Sequence, residues 1–69
     1  MRLSARNQIK GKIIDVKKGA TTAHIRVEIA PGLVITSSIT NEAVDELSLK
    51  AGNQATVVVK ASDVMIAVD

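Results

Sequence analysis

Three short runs of this chain carry groups suited to holding an anion. Ser4-Ala5-Arg6-Asn7 packs a hydroxyl, a guanidinium and an amide into one stretch. Lys60-Ala61-Ser62 sets an ammonium beside a backbone NH and a hydroxyl where an apolar run ends. Between them Thr36, Ser38 and Thr40 alternate with other residues, so a strand there carries a stripe of hydroxyls on one face. A tetrahedral oxyanion presents acceptor oxygens on every side. It needs converging donors and few carboxylates close by. Each run also has an ordinary reading, as a polar terminus, a strand end or a solvated strand face rich in Thr. Their combined weight depends on a fold, or a neighbouring subunit, that brings them together.

Other chemistries find little footing. Nucleophilic catalysis needs a base beside its nucleophile, and the single histidine, His24, falls on the outer face of a strand between Ala23 and Ile25. The ordinary reading of such a residue is an exposed or interface histidine. Asp15, Glu28, Asp45 and Glu46 lie on different elements or adjacent on one, so no metal-ligating cluster forms, and the chain has no cysteine. Neither a Walker loop nor a dinucleotide fingerprint occurs. The expectation is a binding protein, not an enzyme.

The elements that must position these residues are mostly strands. From Thr22 to Ala30, Ala23, Ile25, Val27 and Ile29 share one face, with His24, Arg26 and Glu28 on the other. Before it, Ile9, Gly11 and Ile13 share a face, and Ile14 and Val16 continue on the opposite one. That change of phase predicts a bulge or bend. Pro31-Gly32 suits a type II turn. A third strand runs from about Leu33 to Thr40. Asn41 is then the expected N-cap of a two-turn helix ending near Leu49 to Gly52, with free NH groups at Asn41 to Ala43 favouring a dianion. A fourth strand is expected from Gln54 to Ala61, and Val64, Ile66 and Val68 predict a short fifth. The fold class is all-β: a five-stranded OB-fold-like barrel with one short helix between strands 3 and 4.

Size points the same way. Residues 1–69 make one domain, and 46% of them are hydrophobic with no Phe, Tyr or Trp. So small a chain buries little surface alone, and covering a sheet face with another subunit supplies the shortfall. A homo-oligomer is therefore expected. The net charge of +2 is far from the clustered basicity of a nucleic-acid domain. Nothing approaches a membrane span, and Met1–Arg6 lacks the pattern of a signal peptide, so a cytoplasmic location is the default.

Ser4-Ala5-Arg6-Asn7-Gln8, Gly11-Lys12, Lys18-Gly19, Ile39-Thr40 and Lys60-Ala61-Ser62-Asp63-Val64-Met65 together resemble the molbindin (Mop) family, the molybdate-binding domains of Mop/TOBE type. The likeness spans essentially the whole chain, and its first and last motifs are the most specific. It implies a hexamer, a trimer of dimers, with oxyanion sites between subunits, and a role in storage or homeostasis of intracellular molybdate or tungstate. Molybdenum would be held as molybdate, with no metal directly coordinated by protein and no catalytic cofactor. Carried over by position, one site takes Ser4, Ala5 (backbone), Arg6, Thr40, Lys60, Ala61 (backbone) and Ser62. A second takes Lys18, Gly19, Ala20 and Ser38. Many family members have Ser where this chain has Ala43, so a backbone NH or water would have to replace that hydroxyl here.

Two alternatives belong to other classes. An OB-type single-stranded nucleic-acid binder stacks bases on aromatic side chains, which this chain lacks. A purely structural oligomerisation module would assemble without responding to molybdate.

Overall fold

The computed structural model describes residues 2–69. Four strands, β1 (Asn7–Lys18), β2 (Thr22–Ala30), β3 (Leu33–Thr40) and β4 (Gln54–Val59), form one antiparallel sheet in the order β3-β2-β1-β4. A short helix, α1 (Asn41–Glu46), lies between β3 and β4. A 3-10 turn, Ala61–Asp63, follows β4.

β1 is the organising strand because it has two partners. Its first half pairs with β4, from Asn7↔Val59 to Lys12↔Gln54, and its second half pairs with β2, from Lys12↔Glu28 to Lys18↔Ala23. The phase change in the sequence is a bulge: Ile13 pairs with Val27 and Asp15 with Arg26, leaving Ile14 as the extra residue. At the same bend β1 comes down onto β2. A Cβ added at Gly11 would lie 2.7 Å from both the Glu28 carbonyl oxygen and Val27 Cγ1, so only glycine allows this approach. Beyond β2, Gly32 turns the chain with φ 76°, as a type II turn at Pro31-Gly32 requires.

The alternation in β2 translates directly into burial. Ala23, Ile25 and Val27 are buried with Ile13 of β1 and Val44 of α1, and Val16, Ile29, Ile39, Leu49, Ala55 and Val57 close around them. The helix ends earlier than its spacing suggested, at Glu46. Ser48 takes a left-handed conformation (φ 53°) while its NH donates to the Asp45 carbonyl and the Leu49 NH donates to the Val44 carbonyl, a Schellman closure.

Two expectations need correction. The barrel is not closed by a fifth strand: residues 64–69 join no ladder, and Met65, Ile66 and Val68 are 92%, 85% and 89% exposed. Alternation makes this segment extended, but a strand exists only against an edge with free amides and carbonyls, and none in the same chain meets it. β4 likewise ends at Val59 instead of Ala61, where the chain tightens into the 3-10 turn.

Candidate oxyanion site

The β1–β4 ladder brings the two most specific motifs together. Asn7 pairs with Val59, and its Nδ2 donates to the Val59 carbonyl at 3.1 Å, pinning the start of β1 to the end of β4. Carried one step beyond the ladder, the same register brings Arg6 level with Lys60; Ala5 and Ser4 precede Arg6 on one segment, and Ala61 and Ser62 follow Lys60 in the 3-10 turn on the other. Ala5 is half-buried; the other five are exposed. In the 3-10 turn the Asp63 NH donates to the Lys60 carbonyl at 2.9 Å, and the amides of Ala61 and Ser62 stand at the open start of that turn. Among the described residues the sole ion pair is Lys18–Asp45, so Arg6 and Lys60 have no carboxylate within 4.0 Å, Asp63 included. Two level cations repel unless something negative lies between them. The two segments together carry one guanidinium, one ammonium, two hydroxyls and the open amides of the turn.

Thr40 is not part of that group in the single chain. It pairs with Thr22 at the start of β2, beside Lys18↔Ala23 at the far end of β1. Asn7 and Lys18 are separated by 18 − 7 = 11 steps of β1, roughly 36 Å of strand at about 3.3 Å per residue before the bend shortens it.

Thr40, instead of Asn41, is the helix N-cap: its Oγ1 accepts from the Ala43 NH at 3.1 Å. Asn41 is occupied elsewhere. Its Nδ2 donates to the Gly19 carbonyl at 3.0 Å and the Ala20 carbonyl at 3.4 Å, and its own NH donates to the Thr21 carbonyl at 3.0 Å. Of the three helix-start amides expected to face a dianion, those of Asn41 and Ala43 are therefore already taken. The backbone NH that was to stand in for a hydroxyl at position 43 is spent on the cap. The Thr40 hydroxyl uses a lone pair for that bond and keeps its proton for another acceptor.

Lys18, Gly19 and Ala20 lie together in the turn joining β1 to β2, closed by the Gly19 NH donating to the Thr22 carbonyl at 2.7 Å. Lys18 Nζ contacts Asp45 Oδ1 at 2.6 Å. The carbonyls of Gly19 and Ala20 are held by Asn41, a positioning role that two consecutive capping-type residues at 40 and 41 concealed in the sequence. Ser38 lies two residues before Thr40, paired with His24. His24 and Lys17 also border this end of the sheet, and only the cross-strand register reveals that they are neighbours.

With this geometry in hand, residues 3–66 match the TOBE domain family. The chain belongs to that family. Within it, this TOBE domain is 53% identical over 66 residues to Molybdenum-pterin-binding protein 2 of Clostridium pasteurianum, covering 96% of this chain and 97% of that protein, which sets it among the Mop proteins. The solved structure of MopII from Clostridium pasteurianum superposes with a TM-score of 0.90 at 51% identity, covering 97% of this chain and 100% of the other. The cytoplasmic molybdate-binding protein ModG, solved with molybdate bound, gives a TM-score of 0.89 at 45% identity, covering 94% of this TOBE domain and 46% of the ModG chain. The resemblance in the motifs and the fold of the relatives thus agree along the whole length.

Proposed function

We propose that this protein binds molybdate or tungstate for storage or homeostasis in the cytoplasm, as a single domain over residues 1–69, without catalysing a reaction. The observation that carries the reading is the pair of level, carboxylate-free cations Arg6 and Lys60 beside the hydroxyls of Ser4 and Ser62. A dianion there turns the repulsion of the pair into attraction, while the amides of Ala5, Ala61 and Ser62 offer orientation. The relatives support the choice of anion, since ModG is a molybdate-binding protein with molybdate bound in its structure. They support the compartment as well, ModG being cytoplasmic; among the described residues no helix is long and apolar enough to cross a membrane.

The sites lie between subunits of a homo-oligomer, a hexamer built as a trimer of dimers. Thr40 supports this, because its separation from Arg6 and Lys60 in one chain is removed if another copy supplies it. A second site uses Lys18, Gly19, Ala20 and Ser38. The open sheet supports assembly too: an apolar groove of about 220 Å3, lined by Ile13, Ile25, Val27, Ile39, Leu49 and Val57 among others, stands uncovered. The exposed alternating segment Val64–Val68 has the length and apolar pattern to fill such a groove on a neighbour.

Calorimetric titration with molybdate, tungstate and sulfate tests the reading. Arg6→Ala and Lys60→Ala should each weaken molybdate binding by about 1.5–3 kcal/mol, the value of one charge-assisted hydrogen bond, or roughly ten- to hundredfold. Sedimentation should find both variants still assembled. Full affinity in both variants discards the site.

A further inference from the structure

At the β1–β2 turn the surface folds into a cleft of about 310 Å3 lined by Lys17, Lys18, Gly19, Thr22 and His24. None of its lining residues is a carboxylate. The cross-strand register explains why these groups meet: His24 sits directly opposite Lys17 on β1 and Ser38 on β3, so the three form one row across adjacent strands on the outer face of the sheet. All three are exposed. Lys18, on the next residue, is turned to α1 and held by Asp45 at 2.6 Å, which leaves Lys17 as the ammonium without a carboxylate within 4.0 Å. The cleft thus carries an unpaired cation, a hydroxyl from Thr22, a hydroxyl from Ser38 beside it, and the only histidine in the chain.

We propose that His24 makes this cleft a proton-linked oxyanion subsite, in which a tetrahedral dianion binds together with a proton taken up by the imidazole. The inference rests on the oxyanion reading above and adds Lys17, Thr22 and His24 to it. Histidine is the side chain whose charge changes between about pH 5 and 8. Protonated, both ring nitrogens donate; neutral, one donates and one accepts. An imidazolium next to Lys17 alone is two like charges on neighbouring strands, which is unfavourable. With a dianion between them the same pair becomes a clamp, so anion and proton favour each other's binding. The proton comes from the buffer, and on release of the anion it returns there. The charged and titratable groups around the imidazole are Lys17 and Lys18 from β1, Asp15 of β1 and Arg26 of β2 in the next row of the same face, and, through Lys18, Asp45 of α1; β3 contributes the uncharged Ser38 and Thr36. The chemistry recognised is that of any tetrahedral dianion, so molybdate and sulfate are both used as probes.

Calorimetry of the assembled protein in buffers of different ionisation enthalpy measures the protons taken up per anion. The wild type should take up a fraction of a proton per molybdate near neutral pH, and affinity at one class of site should fall as pH rises, by at most about tenfold per pH unit, the limit for one linked proton. His24→Gln should abolish the uptake and that class of site while the remaining molybdate sites titrate normally. His24→Lys should restore occupancy with no uptake and a flat pH profile. A sulfate titration with the same uptake assigns the subsite to tetrahedral dianions in general, and its absence restricts it to molybdate; both keep the proton linkage. Equal uptake in the wild type and His24→Gln, or none in either while molybdate still binds, overturns the inference and leaves the Arg6–Lys60 site standing. No molybdate heat at any pH overturns both.

Discussion

Thr40 has two separable duties, and two substitutions pull them apart. Its Oγ1 accepts from the Ala43 NH at 3.1 Å to cap α1, and in the proposed site its remaining proton is the donor offered to an anion held by a neighbouring subunit. Thr40→Val keeps the shape and strand preference but removes the oxygen. The Ala43 NH then loses its acceptor, at about 1 kcal/mol, the usual cost of a missing N-cap. Thr40→Asp restores an acceptor of at least equal capping quality, so the unliganded protein should unfold at a urea midpoint equal to or above that of the wild type. The same carboxylate cannot donate, and it opposes a dianion by about 4 kcal/mol for each pair of unit charges at 4 Å and an effective dielectric of 20. Molybdate binding at the Arg6–Lys60 class of site should therefore fall below detection in Thr40→Asp. In Thr40→Val the loss should be about 1.5–3 kcal/mol, one charge-assisted bond. Urea unfolding at fixed protomer concentration reads the first duty and calorimetric titration the second. Wild-type affinity in Thr40→Asp would refute the placement of Thr40 at the anion; wild-type stability in Thr40→Val would refute the cap.

Three further changes have definite outcomes. Gly11→Ala drives a methyl to 2.7 Å from the Glu28 carbonyl oxygen, a backbone atom fixed in the β2 ladder, so thermal unfolding should show a loss of about 1–3 kcal/mol. Ser48→Gly relieves the left-handed conformation after α1 and should raise the unfolding free energy measured in urea by about 0.5–1 kcal/mol without altering anion binding. Ile66→Asp places a charge on a segment that is 85% exposed in the single chain, so it should leave the secondary structure measured by circular dichroism intact while sedimentation shows smaller species. An unchanged assembly in that variant removes residues 64–69 from the interface.

What was legible in the residues, and what was not, follows from the range of the forces involved. Strand β2 could be read from alternation alone, because burying Ala23, Ile25 and Val27 on one face is a local pattern. The bulge at Ile14 was visible for the same reason, as a slip in that pattern. The cap was displaced by one residue because Thr40 and Asn41 are both good capping types. The choice was made by a contact of the Asn41 amide with carbonyls more than twenty residues earlier. Val64, Ile66 and Val68 announce an extended segment but not the edge it needs, since a strand's partner is a tertiary fact. The motif at Arg6 and the motif at Lys60 were each visible, and their meeting followed once β1 and β4 paired. That Thr40 lies at the opposite end of β1 depends on strand order and direction, which no local spacing reports.

The single extra residue at Ile14 also decides which of two identical neighbours does which job. Side chains alternate along a strand, so every residue beyond the bulge has its facing set by whether that residue is counted. As built, Lys18 is directed to Asp45 on the helix and Lys17 to His24 on the open face. Were the bulge ironed flat with no residue removed, while β2 stayed in register, Lys17 would fall opposite Ala23 and Lys18 opposite Thr22, exchanging faces with composition and net charge untouched. It would hand the helix contact to Lys17 and move Lys18 to the open face, with Val16 in place of a lysine opposite His24. The kink is therefore an addressing device: it assigns two chemically equal cations to two different neighbours by parity alone.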